Sequence, residues 1–341
     1  MINVGVIGAG TMGSTHAYAY AQLPNARVVG VADIDVEKAR RVVAQSGGTA
    51  WATAEEAIDN PQVDVVDVCV PTFLHRRYVE QALAAGKHVY CEKPLARTLA
   101  DGWAMVQAAE KAGRQLGVGH VVRFFSNYRQ AREMVREGKL GQIGIIRTSR
   151  GGGGFPYAWQ DWYANFEWSG GMILDLLIHD FDWLRWTLGE VERVFARSTH
   201  GRDFNREEYA LVTLRFANGA MAHVEGTWLQ AGGFTTSFEI CGSQGMLSSD
   251  AAETRPLVLV TPPSPAAPGV AVPEVPGESP YLVELRAFVD ALDAGQPVPV
   301  NGREGYEALK IALAALRSVE TGLPVNPAEL EAEAGLAGKG E

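Results

Sequence analysis

The chain has 341 residues, 47% hydrophobic and 21% charged, with 30 basic against 40 acidic side chains for a net charge of −10. That length exceeds one ordinary core and fits two domains, and the apolar fraction excludes a disordered chain. So acidic a balance gives no reason to expect nucleic acid or an anionic membrane surface as a partner.

The first 120 residues alternate β-branched runs with helical patterns. Strands are expected at Asn3 to Ile7, Arg27 to Ala32, Val63 to Val70, His88 to Cys91 and Gln115 to Gly119. Helices are expected at 13–22, 36–45, 54–58, 73–85 and 98–112. Such alternation predicts a parallel sheet with helices on both faces, that is, an α/β doubly wound Rossmann domain over residues 1–122.

Within it, Gly8-Ala9-Gly10-Thr11-Met12-Gly13 follows an apolar strand and opens a helix, the context a dinucleotide fingerprint requires. Gly8 permits the tight turn, Gly10 lets the backbone approach a pyrophosphate, and Gly13 allows close helix–strand packing. The helix start then offers unpaired N–H groups to the phosphates. Asp33, 20 residues beyond Gly13, can accept from the adenosine ribose, and its charge would repel a 2′-phosphate, which favours NAD over NADP. The plainer alternative is a glycine turn with Asp33 capping the next helix. At later strand ends stand Pro71-Thr72, with His75 a turn further on, and Cys91-Glu92-Lys93-Pro94, where doubly wound folds bind ligands.

Beyond residue 122 the texture changes, and residues 123–341 are expected to form an α+β domain with an antiparallel or mixed sheet. Phe125 to Glu137 reads as a helix, and Gly141 to Arg150 as a strand entering Gly151 to Gly154. Further strands are expected at Glu192 to Thr199, Glu208 to Phe216, Ala220 to Trp228, Thr235 to Cys241 and Leu257 to Val260. Asn218-Gly219 is a strong hairpin signal, since both residues tolerate positive φ. Residues 261–280 hold seven of the 17 prolines and read as a loop excursion, followed by helices near 280–294 and 302–321 and a tail after 328 that is expected to fray.

In Gly170 to Asp182, helical spacing of about 100° per residue puts Asp175, His179, Asp182 and Trp186 on one face. Ile173, Leu177, Leu184 and Leu188 fall opposite. An acid and an imidazole four residues apart can share a hydrogen bond that orients the ring. A solvated face, a packed core histidine or a metal site are the alternatives; with no further obvious ligand set, no metal is expected. Trp159, Trp162, Tyr163 and Trp168 form either an apolar wall for sugar ring faces or part of the core. Cys69, Cys91 and Cys241 form neither a zinc pair nor a disulfide framework. With no basic, apolar leader and no long apolar run, a cytoplasmic, water-soluble protein is expected.

Taken together, the fingerprint, Glu92-Lys93-Pro94, the junction Gly119-His120-Val121-Val122-Arg123-Phe124, the stretch Gly170 to Asp182, and Gly305 to Pro324 with Ser318 and Thr321-Gly322-Leu323-Pro324 resemble the Gfo/Idh/MocA oxidoreductases over nearly the whole chain. The resemblance implies a Rossmann domain followed by a domain with a large open sheet that mediates homodimers or homotetramers. It implies Lys93, Asp175 and His179 as the catalytic set. It places Pro71, Thr72, His75 and Glu92 with Thr11, Met12 and Lys93 at the NAD, and His120, Arg123, Trp162 and Asp182 with the catalytic set at a sugar or polyol substrate. Asp175 to Leu188 is most similar to inositol dehydrogenases. The chain departs at Phe125-Ser126, where a proline is common, and at Phe234, where some of those enzymes use a tyrosine; the latter leaves inositol itself open. The expected reaction is hydride transfer between a secondary alcohol and the nicotinamide, with His179 as general base. A non-catalytic NAD-binding regulator and an NAD-dependent glycosidase are the alternatives.

Overall fold

The structure is a computed structural model describing residues 1–152, 156, 158–200, 207–228, 233–251, 258–260, 270–271 and 277–336. In chain order it contains β1 (Ile2–Ile7), α1 (Thr11–Tyr20), β2 (Ala26–Ala32), α2 (Val36–Ser46), β3 (Thr49–Trp51), α3 (Ala54–Ile58), β4 (Val65–Val68), α4 (His75–Ala84), β5 (His88–Glu92), α5 (Leu99–Ala112) and β6 (Leu116–Gly119). There follow α6 (Ser126–Arg136), β7 (Ile143–Gly151), α7 (Phe166–Ser169), α8 (Gly171–Asp175), α9 (Ile178–Leu188), β8 (Val191–His200), β9 (Glu207–Phe216), β10 (Met221–Thr227), β11 (Thr235–Gly242) and β12 (Gly245–Asp250). The described chain closes with β13 (Val258–Val260), β14 (Val270–Ala271), α10 (Pro280–Asp293), α11 (Gly302–Thr321) and α12 (Pro327–Glu333). Gly153, Gly154, Leu257, most of 261–280 and the end of the tail lie outside the described residues.

The chain divides into two units, residues 1–124 with 278–309, and residues 125–277 with 310–341. The first crossing falls close to the expected 122, but residues 278–309 go with the first unit. The reason lies in packing: Leu285, Phe288 and Val289 of α10 join one core with Ala17 and Tyr20 of α1. Val300 accepts the Val118 N–H at 2.9 Å, and Asn301 bridges Gly117 beside β6. Helical periodicity shows that a helix has an apolar face, not which core receives it.

The first unit is built on a six-stranded sheet in the order β3-β2-β1-β4-β5-β6. Every pairing in it is parallel. Its order reverses between β1 and β4, so the carboxyl ends of those strands flank the crevice where such sheets take ligands. The Gly8 turn, Asp33, Cys69 to Thr72, Glu92-Lys93 and His120 all follow strands at that end.

The second unit carries an eight-stranded sheet in the order β14-β13-β12-β11-β7-β10-β9-β8. It is mixed: β10 pairs with β7 in parallel, and the other pairings are antiparallel. Period-2 alternation buries Ala210, Val212 and Leu214 on one face of β9, while Leu211 points to the other and is exposed. The β9–β10 hairpin forms as expected, with one difference. Only Gly219 takes a positive φ, 87°, and the Phe216 N–H donates to Ala220 O, giving a loop longer than the two-residue kind.

The buried face of this sheet is locked to α9 by a charge pair. Arg150 Nε of β7 donates to Asp180 Oδ2 at 2.6 Å, and both side chains are buried. The Tyr128 ring packs edge-on against Trp183 beside this pair. Removing one member leaves the other charged and dry. Asp180→Ala is therefore expected to cost about 3–5 kcal/mol in urea unfolding; a loss below about 1 kcal/mol, the range of exposed pairs, would contradict the pair's burial.

Candidate active site

The fingerprint loop shows why two of its glycines cannot be replaced. Gly8 has φ 99°, and a Cβ on it would lie 2.4 Å from Cys69 O. A Cβ on Gly13 would lie 1.7 Å from Gly8 O, so α1 can start against the turn only if that atom is absent. Gly10 is different: a Cβ there meets no atom within 4 Å. Its openness is the room a pyrophosphate needs for close backbone approach. No side chain caps α1, whose first backbone bond runs from Ser14 N–H to Gly10 O at 3.0 Å. The amides before Ser14 and the positive end of the helix dipole thus face the loop, and the residues fit a dinucleotide phosphate. Thr11 is exposed and Met12 half-buried at the mouth.

Asp33 both braces the loop and stays available. Its Oδ2 accepts the Ala9 N–H at 2.7 Å and its Oδ1 the Asp35 N–H at 2.8 Å. Each carboxylate oxygen keeps a further acceptor site, enough for a ribose hydroxyl pair.

At the next strand ends the candidates separate into half-buried and buried. Pro71 and Lys93 are half-buried; Thr72 is buried at the start of a short 3-10 turn. His75 is fully buried, with Nε2 2.9 Å from Val70 O and Nδ1 3.0 Å from Pro94 O. Burial lowers its pKa despite those carbonyls. Its geometry makes it a brace between the loops after β4 and β5. His120 is buried as well, and Arg123 is buried in an ion pair with Glu304 at 2.7 Å. The Lys93–Pro94 peptide is cis.

Beneath Lys93 lies a buried polar cluster that the sequence reading passed over. His16 of α1 sits with Nδ1 2.9 Å from Asp67 Oδ2 of β4 and Nε2 3.1 Å from Glu92 Oε1 of β5. Cys69 Sγ donates to Asp67 Oδ1 at 3.2 Å, and Glu92 Oε2 accepts the Lys93 N–H at 3.1 Å. Burial opposes the His16 charge, but Cys69 and Asp67 outweigh it and hold its pKa well above the ordinary value. Burial likewise works to raise Glu92, and His16 with Lys93 holds it below the ordinary value instead. Glu284 of α10 is the converse: burial, then repulsion from Glu92, pushes its carboxyl well up and keeps it neutral. A signal was available. Asp67 interrupts the wholly buried strand Val65-Val66-Asp67-Val68, and an acid there must have a partner.

In the second unit the structure departs from the expected continuous helix. Leu176 and Leu177 both donate to Met172 O, at 2.8 and 3.2 Å, and this wide turn separates α8, ending in Asp175, from α9, bearing His179. The single polar stripe does not form. From Gly171 to Leu184 every residue is buried except His179, which is half-buried. Asp175 and Asp182 are buried; Trp186 is half-buried and stacked under Arg132, whose Cζ lies 3.7 Å from the ring centre. Trp162 is buried and stacks on Tyr163 at 4.0 Å between centroids, and Tyr163 meets Trp228 edge-on. Trp159 stacks with Trp168 and stays exposed, as does Phe234. Ser318 is structural: its hydroxyl accepts from Ala196 N–H and donates to Leu323 O.

Two family models match the chain, one described as an oxidoreductase family with an NAD-binding Rossmann fold over residues 2–120, the other as the GFO/IDH/MocA C-terminal domain over residues 128–248. The chain is 31% identical to the myo-inositol 2-dehydrogenase of Thermotoga maritima, covering 94% of this chain and 96% of that one. It is 30% identical to the 1,5-anhydro-D-fructose reductase of Ensifer adhaerens, over 93% and 96% of the two chains. Among solved structures, levoglucosan dehydrogenase in complex with NADH and levoglucosan aligns at a TM-score of 0.87 and 25% identity, covering 95% of this chain and 98% of that one.

The neutral Glu284 has a measurable consequence. Above its ordinary value of 4.5 the unfolded chain releases a proton that the folded chain retains, so this group lowers stability as pH rises. The slope is up to about 1.4 kcal/mol per pH unit until the folded pKa is reached. Glu284→Gln should therefore gain stability over the parent protein, and gain more at about pH 7.5 than at about pH 5.5. A difference that does not change with pH would show that Glu284 is ionised in the folded state.

Proposed function

Because the chain belongs to the Gfo/Idh/MocA family of oxidoreductases with an NAD-binding Rossmann fold, we propose that it oxidises a secondary alcohol of a sugar or cyclic polyol, reversibly and with NAD. The observation that carries the site assignment is His179, the one titratable group left accessible in the otherwise sealed segment Gly171 to Leu184. The names of the relatives, an inositol dehydrogenase and an anhydro-sugar reductase, support the substrate class.

The nicotinamide, when bound, supplies the hydride acceptor. His179 takes the hydroxyl proton as general base, and Asp175 orients the ring and favours its charged form. Lys93 holds the reacting oxygen and offsets the negative charge developing on it. Asp182 accepts from substrate hydroxyls, and Tyr163 on Trp162 offers an apolar face to ring C–H groups. Pro71 and Thr72 line the nucleotide. His75, His120 and Arg123, all buried, shape the loops from beneath.

We also place a second copy of the chain on the open face of the eight-stranded sheet, where Leu211 and Met221 on adjacent strands are exposed. The three free thiols favour a cytoplasmic setting, and no helix among the described residues is long and apolar enough to cross a membrane.

Lys93→Ala and His179→Ala are each expected to lower turnover by about 10²–10⁴-fold with NADH binding retained in fluorescence titration. The substrate for that assay comes from a panel of polyols, aldoses and sugar acids offered with NAD and with NADP. Unchanged turnover in both variants would refute the mechanism. Asp33→Ala should weaken NADH binding and erase most of the preference over NADPH, since the carboxylate both braces Ala9 and repels a 2′-phosphate. A preference that survives the substitution would place cofactor selection elsewhere.

A further inference from the structure

We propose that His16 is a positioning residue that ties the nucleotide-binding helix α1 to the turn carrying Lys93, through one buried chain of contacts running from Asp67 to His16, to Glu92 and to the Lys93 backbone amide. The proposal rests on the assignment of Lys93 to the reacting oxygen.

Every link in the chain is short and dry. Asp67 Oδ2 lies 2.9 Å from His16 Nδ1, His16 Nε2 lies 3.1 Å from Glu92 Oε1, and Glu92 Oε2 accepts the Lys93 N–H at 3.1 Å. Both ring nitrogens of His16 therefore face carboxylates. Nδ1 is hydrogen-bonded to Asp67, Nε2 lies at ion-pair distance from Glu92 without the alignment of a hydrogen bond, and the carboxylates flanking the ring favour its charged form. Two carboxylates held by one imidazolium cannot part without stranding a buried charge, which makes the link stiff.

The surroundings leave the link no substitute. The Cys69 thiol donates to Asp67 rather than to Glu92. Tyr90 presents its ring edge-on to His16, at 5.7 Å between centroids. The other titratable groups coupled to the cluster, Tyr20, Tyr90, Cys91 and Glu284, are buried and have their pKa raised, so they stay neutral; burial lowers the pKa of His75, and Lys93 adds positive charge that lowers Glu92. On the far side of the carboxylate, Gly119 leaves only 3.0 Å between Glu92 Oε1 and the place a Cβ would take. Glu92 is thus wedged between Gly119 and His16, and the amide it holds belongs to Lys93. His16 in turn stands three residues after Gly13, on the helix whose first turn opens on the fingerprint loop. It sets Lys93 relative to the nucleotide without touching either nucleotide or substrate.

The test compares His16→Gln, whose neutral amide cannot place an N–H at both ring-nitrogen positions, with the parent protein, both saturated with NADH. Reactivity of each lysine toward an amine-selective acylating reagent is followed by peptide mass spectrometry. The Lys93 rate is expected to change at least threefold, while Lys87, anchored on Asn60 O and Val63 O, and Lys139 keep theirs. NADH affinity should stay within threefold, and kcat should fall tenfold or more with KM for the alcohol less affected. If His16→Gln does not fold, Glu92→Gln cuts the same link at its other end and must show the same signature. An unchanged Lys93 rate, or equal changes at all three lysines, overturns the proposal. Normal turnover in Lys93→Ala would instead overturn the role given to Lys93, and the labelling result still judges the tie.

Discussion

The nucleotide end of the chain depends on one missing atom, the β-carbon at position 13. Any side chain there would stand 1.7 Å from the Gly8 carbonyl, so α1 can begin directly against the turn that ends β1 only because residue 13 is glycine. That approach aims the helix start at the loop. It also sets the depth of everything further along the helix. His16, on the same face one turn later, is driven into the sheet against Asp67, and Ala17 and Tyr20 reach the core that α10 completes. Close packing at the loop and the buried charge cluster are two results of a single contact.

Such a cluster is expensive unless its charges nearly cancel. Asp67 and Glu92 are buried with the imidazolium of His16 between them, and Lys93 adds its charge beside Glu92. Glu284 would unbalance the group and is kept protonated, as is the Cys69 thiol, which burial pushes well up. In a dry interior each of these states is enforced by the others, because ionising a further acid would strand a charge with no counterion. The arrangement fixes protonation as well as position.

The sequence was informative where a residue's neighbours in the chain decide its state. Period-2 and period-3.6 patterns located most strands and helices, including Pro280–Asp293 and Gly302–Thr321, which matched their expected ranges closely. Short strands escaped: Thr49–Trp51 has three residues, too few for a period to show, and Gly245–Asp250 carries little apolar signal. Contacts far apart in the chain were not legible, which is why the return of residues 278–309 to the first unit and the pairing of His16 with Glu92 came only from the fold. His75 shows the limit on the site itself. A histidine after a Rossmann strand reads as a ligand contact, and the fold buries its ring between two backbone carbonyls, a setting the local sequence does not show.

The segment Gly171 to Leu184 shows how a helical projection can single out an accessible residue although its geometric premise fails. Extrapolating about 100° per residue assumes an unbroken ladder, and here Met172 O takes two amides, so the ladder slips between Asp175 and His179. The slip coincides with the place where the segment meets the sheet. A Cβ on Gly226 of β10 would lie 2.4 Å from Leu177 Cδ2, so Leu177 sits directly on a strand that has made room for it. With Leu177 pinned there and Asp180 held by Arg150, the residues between have little freedom. His179 is accessible because its neighbours on both sides are anchored inward, and that accessibility is a property of the sheet contact more than of helix periodicity.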